Sequence, residues 1–206
     1  MREFTGEISI FKVGAVLQAA FTMDTTKTIT SNAHGLSVGD CLQFTTATTL
    51  PSGLSLVTNY YVTSITTNTF EVSAVPGGTV VTSTDAGTGT HTFHLKGKKL
   101  YCGDWKNLQL GFYTASNANL TLKIQGSDQA DVDFNASQSS TNRWDYMQIK
   151  DLEDMASIDG DTGIVLSGTD DNRSFEVNIN AKKYISANLT AWSAGKINLI
   201  ATMFND

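Results

Sequence analysis

Proline occurs only twice in the 206 residues, cysteine only twice, and charged side chains make up 17% of the chain. Each scarcity excludes something. Cys41 and Cys102 have no metal-ligand spacing and are too few to staple a disulfide scaffold. Their spacing does not decide whether they pair; two buried thiols in a protein made in a reducing cytoplasm is the simpler expectation. The 14 Lys and Arg residues are scattered, densest at Lys96, Lys98 and Lys99, and the net charge is −6. A duplex or RNA binder needs a basic stripe to displace counterions, and none is visible, so nucleic acid is not an expected partner. Long apolar runs are missing too. Val13 to Phe21, broken by Gln18, is too short to span a bilayer, and Glu3, Glu7 and Lys12 sit where the charge of a signal peptide is positive or absent, so neither membrane nor secretion is expected. Helical periodicity is nearly absent, and Val13 to Phe21 is the single candidate helix.

What is abundant is threonine, with serine and glycine next, in period-2 patterns. Phe70, Val72 and Ala74 alternate with Glu71 and Ser73; Leu108, Leu110 and Phe112 with Gln109 and Gly111. Leu120, Leu122 and Ile124, then Phe175, Val177 and Ile179, repeat the habit. One face of each segment is buried and the other stays wet, the signature of antiparallel sheets. Lys196 to Phe204 is apolar on both faces and reads as a central or interface strand. Turn signals such as Pro51-Ser52-Gly53, Pro76-Gly77-Gly78, Asp159-Gly160-Asp161 and Asp170-Asp171-Asn172 separate the runs. The four N-x-S/T triplets, at Asn119, Asn135, Asn172 and Asn188, are chance in so Ser/Thr-rich a chain. The fold class is all-β.

Composition shifts along the chain. Residues 24–95 are Thr- and Gly-rich and hold all three histidines but no tryptophan, whereas Trp105, Trp144 and Trp192 all lie in 96–206. The expected organisation is an N-terminal arm or strand over 1–23, a small β-barrel-like module over 24–95, and an antiparallel, jelly-roll-like β-sandwich over 96–206. If residues 1–23 instead supply a strand to the sandwich, the module is an insertion into it.

Several motifs imitate chemistry. His34-Gly-Leu-Ser-Val-Gly-Asp40 fits G-x-S-x-G, the nucleophile elbow of serine hydrolases, with a histidine and an aspartate beside it. An elbow needs a strand turning into a helix, and the residues after it, Asp40 to Thr45, are β-rich. A Gly-framed turn feeding a strand is the better reading. Asp161-Thr162-Gly163 spells the aspartic-protease triplet, yet its approach through Ser157-Ile158-Asp159-Gly160 suits a hairpin turn. Asp159, Asp161, Asp170 and Asp171 lie in two turns flanking one strand, where oxygen ligands for Ca²⁺ are conceivable without EF-hand spacing; exposed turn aspartates are the plainer account. His34, His91 and His94 are a nominal metal trio, but His91 and His94 are an odd number apart and cannot share a strand face. Tyr60 and Tyr61, with the tryptophans, are candidates for a sugar-stacking platform, but in a sheet protein a core role is the expected one. No catalytic residue, cofactor or metal ligand is assigned.

One resemblance covers about a third of the chain. His34-Gly-Leu-x-x-Gly-Asp-x-x-x-Phe44, the Leu-Pro-x-Gly-Leu turn at 50–54, Tyr60-Tyr61-Val62, Thr69-Phe70 and Gly87-Thr-Gly-Thr-His91 together resemble the small Gly/Thr-rich β modules of tailed-bacteriophage virion proteins. From Trp105 to Phe204 the chain looks, in architecture alone, like a phage jelly-roll or decoration-type sandwich. The resemblance implies a non-enzymatic structural protein assembled into a virion in the host cytoplasm. Capsid decoration (cement) protein or head fibre is its first reading, and a tail fibre, adaptor or receptor-binding component its second. In the tail reading, exposed Tyr60, Tyr61 and Trp144 would touch glycans or the host surface; a secreted carbohydrate-binding module is the reading from another class. Its implied partners are other virion proteins, major capsid or tail, and copies of itself, a trimer fitting three-fold lattice positions. Ile197 to Phe204 with Trp192 is the expected oligomer surface, and 1–23 the expected attachment arm.

Overall fold

The computed structural model describes residues 8–11, 17–56, 58–97, 99–130, 132 and 143–205. Among them there is no helix. The chain divides into two compact units, Ala15–Lys96 and the combination of Met1–Gly14 with Gly97–Asp206.

The first unit is a closed antiparallel barrel of six strands: β2 (Gln18–Met23), β3 (Ile29–Thr30), β4 (Cys41–Thr46), β5 (Tyr60–Ile65), β6 (Thr69–Ser73) and β7 (His91–Lys96), in the order β2-β3-β6-β5-β4-β7. Closure removes the free edges that a sheet this small would otherwise expose. Alternation supplies the core: Phe44, Phe70 and Phe93 are buried, and Phe21 and Tyr60 join them. Phe21 meets Phe44 edge-on at 5.0 Å, Phe44 meets Tyr60 at 5.3 Å, and Phe70 meets Phe93 at 5.5 Å. Such tilted pairs are what aromatic quadrupoles favour.

Two expectations are corrected here. Gln18–Phe21 is strand rather than helix, since it pairs with His91–His94 across the barrel; the rest of the helix candidate, 13–16, lies outside the described residues. The change in composition near Asp24 marks the turn after β2, not the edge of the module, because β2 is itself a barrel strand.

The second unit is an antiparallel sheet built on two 21-residue strands, β9 (Asn107–Ser127) and β15 (Tyr184–Phe204), paired almost end to end. Its order is β1-β15-β9-β14-β11-β12, where β1 is Ile8–Phe11, β11 is Ile149–Asp151, β12 is Ser157–Ile158 and β14 is Asn172–Asn178. β8 (Leu100–Tyr101) adds to β15, and β10 (Asp145–Tyr146) and β13 (Ile164–Ser167) add to β9. The barrel is therefore an insertion between β1 and β8, the second of the two organisations expected from sequence. The segment 1–7 of the proposed arm lies outside the described residues.

The alternations read as separate strands, 108–112 and 120–124, are two halves of β9. Left-handed backbone at Ser116 (φ 69°) and Asn117 (φ 54°), with Gly195 (φ 92°) opposite, interrupts the ribbon between them. A side chain at Gly195 would stand 2.4 Å from Ala118 Cα, so only glycine allows this approach. Apart from Ser127 at its end, buried residues keep to even positions of β9 on both sides of the interruption. Both apolar stripes thus lie on one side of the ribbon, which gives the unit its sandwich character. Phe112 packs edge-on against Phe175 at 5.8 Å within this core. Lys196–Phe204 is central, flanked by β9 and β1. Ile197, Leu199, Ala201 and Met203 are core, while Asn198, Ile200, Thr202 and Phe204 on the other face are half-buried, as the central reading expects. Half of the expected oligomer surface is thereby already used inside the unit.

Candidate functional site

The motif His34 to Asp40 forms the loop entering β4. His34 is buried and its imidazole is held at both nitrogens: Nδ1 accepts from Leu36 N–H at 3.0 Å, so Nε2 carries the proton and donates to Thr69 O at 3.2 Å. Its ring also lies edge-on to Phe70 at 5.1 Å. Asp40 is buried and its Oδ2 accepts from Ser37 N–H at 2.7 Å. Gly39 N–H donates to Val62 O, and Val62 N–H returns a bond to Asp40 O. Both ring nitrogens of His34 are spent on Leu36 and Thr69, and a strand follows where an elbow has a helix. The motif is a latch between the loop and β5–β6.

His91 faces inward, with Nδ1 2.8 Å from Thr46 Oγ1 and Nε2 donating to Ala86 O at 3.0 Å. His94 takes the outer face, with Nε2 2.8 Å from Thr45 Oγ1. The trio does not converge. Burial, and secondarily the Lys96 ammonium, lowers the His94 pKa. Folding therefore opposes protonation of His94, and its contribution to stability is complete above the unfolded pKa of about 6.5 and declines as pH falls below it. Denaturation midpoints compared at pH 7.5 and 5.0 are expected to fall on acidification by less in His94→Gln than in the parent. Equal acid sensitivity of the two proteins refutes the assignment.

Three of the four aspartates considered for Ca²⁺ have protein partners instead. Asp159 Oδ1 accepts from Asp161 N–H at 2.9 Å; Asp170 Oδ1 accepts from Ala118 N–H at 3.2 Å; Asp171 Oδ2 meets Arg173 Nε at 2.5 Å. Among the described residues no three His, Cys, Asp or Glu side chains come together as a metal site. Cys41 and Cys102 are free, buried thiols in different units, each pushed up to about 12 by burial.

Tyr60 and Trp144, which the tail reading expects exposed, are buried instead, as the core role has it. Tyr60 is 3% exposed, its hydroxyl accepting from Ser55 N–H and donating to Gly53 O, and Trp144 is 8% exposed. Parity separates the pair: Tyr60 sits opposite Leu42 on the core face, leaving Tyr61 opposite Cys41 on the outer one. The exposed tyrosines are Tyr101, Tyr113 and Tyr146, all in the sheet unit. Outward strand positions are their only sequence signal. Lys123 Nζ lies 4.7 Å over the Tyr146 ring, and Asn188 Nδ2 donates to its hydroxyl.

Tyr146 borders an open groove of about 360 Å³ whose walls include Asp145, Lys150, Glu176 and Lys182 over Met147. Its charges are balanced, and Asp145 already lies 3.7 Å from both Arg143 Nε and Lys182 Nζ. A second groove of about 440 Å³ opens on the barrel where β2 parts from residues 86–90, with His91 in its wall. Neither groove gathers an activated nucleophile or a general base. No protein-family model, curated protein or solved structure matches the chain.

Proposed function

We propose that this chain is a non-enzymatic structural component of a bacteriophage particle, a capsid decoration protein or its close variant, a head fibre, acting as a trimer on other virion proteins. One observation carries the reading. The residues behind the phage-module resemblance are the ones that build the barrel: His34 and Asp40 latch the entry loop, Phe44 and Phe70 fill the core, and His91 ties β7 to residue 86. The residues that looked catalytic are spent on architecture, as a scaffold role requires. A tail location is the second reading, favoured by exposed Tyr101, Tyr113 and Tyr146.

Light scattering on the purified chain, with and without chelator, tests the proposal together with co-sedimentation on undecorated heads. The expected result is a chelator-insensitive mass of three 22.2 kDa chains that pellets with heads. A monomer that binds neither heads nor tails removes the proposal, and binding to tails alone selects the second reading.

A further inference from the structure

The groove of about 360 Å³ beside Tyr146 in the sheet unit has a supported base and polar walls that bond to nothing. Two glycines let Met147 into that base. A Cβ at Gly126 would collide with Met147 Sδ, and one at Gly160 would stand 2.7 Å from Met147 O. Tyr146 is 38% exposed, yet its ring is fixed from two directions. Lys123 Nζ lies 4.7 Å over it, and Asn188 Nδ2 donates to its hydroxyl at 3.2 Å. Around the ring, the side chains of Gln148, Lys150, Ser157 and Glu176 line the groove with no hydrogen-bond or ion-pair partner among the described residues. Lys150 and Glu176 even stand directly opposite each other on β11 and β14 without pairing.

We propose that this groove binds a short neutral oligosaccharide, one sugar ring packing its C–H face on Tyr146. The volume suits a small ligand, lying near the lower end of the roughly 300–1,000 Å³ usual for such sites. Charge selects the class. Asp145 and Glu176 face Lys150 and Lys182, so the walls sum to zero, and an ionic ligand of either sign meets a like charge. Hydroxyl groups both donate and accept, so one polyol can satisfy carboxylate, ammonium and amide together. A peptide strand finds no free edge under the groove, because β11 already pairs with β12 and β14, and β14 with β9. The aromatic ring offers an apolar face, and its prior fixation means little side-chain freedom is lost on stacking. With no activated nucleophile or base in the walls, the sugar is held and not cleaved. The site is independent of the particle reading.

Saturation-transfer NMR and titration calorimetry on the full chain test this with lactose, maltotriose and chitotriose, and with sialyllactose as the charged comparison. The expected result is saturable, millimolar binding of at least one neutral probe. Tyr146→Ala weakens it on the order of tenfold, and Tyr113→Ala, an exposed tyrosine outside the groove, leaves it unchanged. Tyr146→Phe keeps the ring and retains most of the affinity, which separates loss of stacking from loss of fold in Tyr146→Ala. Glu176→Gln keeps the size of the side chain and weakens binding severalfold, since an acceptor-only carboxylate becomes an amide. No binding of any neutral probe at about 10 mM overturns the proposal. So does tighter binding of sialyllactose than of lactose, or equal affinity in the parent and Tyr146→Ala.

Discussion

Asp151→Ala is expected to destabilise the sheet unit by about 3–5 kcal/mol, the cost of leaving a buried ion without its partner. Asp151 is 2% exposed at the end of β11, and its two carboxylate oxygens do different work. Oδ1 accepts from Glu153 N–H at 2.9 Å, shaping the turn towards β12, and Oδ2 meets Arg173 NH1 at 2.6 Å. Arg173 also lies 5.3 Å over the Phe175 ring. Removing the carboxylate therefore unmakes the turn and strands a guanidinium whose side chain is only 24% exposed. Asp171 remains 2.5 Å from Arg173 Nε, so the loss belongs at the lower end of the range. Asp151→Asn separates the contributions: it can keep an oxygen for Glu153 and loses only the charge. Denaturant unfolding of the full chain followed by tryptophan fluorescence measures both, because Trp105, Trp144 and Trp192 all belong to the sheet unit. A loss under 1 kcal/mol for Asp151→Ala means the pair is not holding β11 to β14.

Strand existence and face were legible because side-chain period on a strand is two whatever the partner. Phe70 and Val72, Leu108 to Phe112, and Phe175 to Ile179 bury the sides that their alternation announced. Strand length was not legible. Ser116 and Asn117 look like a turn, and the left-handed backbone there is real, yet the hydrogen-bonded ladder resumes at Asn119 because Gly195 bulges in step on the partner strand. Partner-strand compensation has no local sequence signal. The insertion was legible only as an alternative, since nothing in Ile8–Phe11 names β15, nearly two hundred residues on, as its partner. Surface and core aromatics were confused at Tyr60 and Tyr61 for a related reason: two adjacent tyrosines fit either parity, and the cross-strand register with Leu42 and Cys41 decides between them. The motif His34 to Asp40 was correctly demoted, but its actual role depended on Thr69 O, 35 residues from His34, and on Val62, two strands' length further along the chain than the loop itself.

Phe70→Ala is expected to cost the barrel about 3–5 kcal/mol and to leave the tryptophan transition where it is. Phe70 is 1% exposed and sits in β6 between β3 and β5, opposite both Ile29 and Ile65. Its ring touches Phe93 and the latched His34, so truncation opens a cavity against the entry loop and the core together. A barrel this small has a total stability towards the lower end of roughly 5–15 kcal/mol, and losing most of it unfolds a measurable fraction at 37 °C. The sequence provides clean reporters for each unit. His34, His91 and His94 are all in the barrel, so their imidazole resonances follow it, while the three tryptophans follow the sheet. With Phe70→Ala the imidazole transition moves to lower denaturant alone; with Asp151→Ala the tryptophan transition does. If one substitution shifts both probes equally, the chain unfolds as a single cooperative body and the barrel is not an autonomous insertion. Separate movement means that either unit can be unfolded without the other, which is the condition for assigning a binding activity to the barrel or to the sheet.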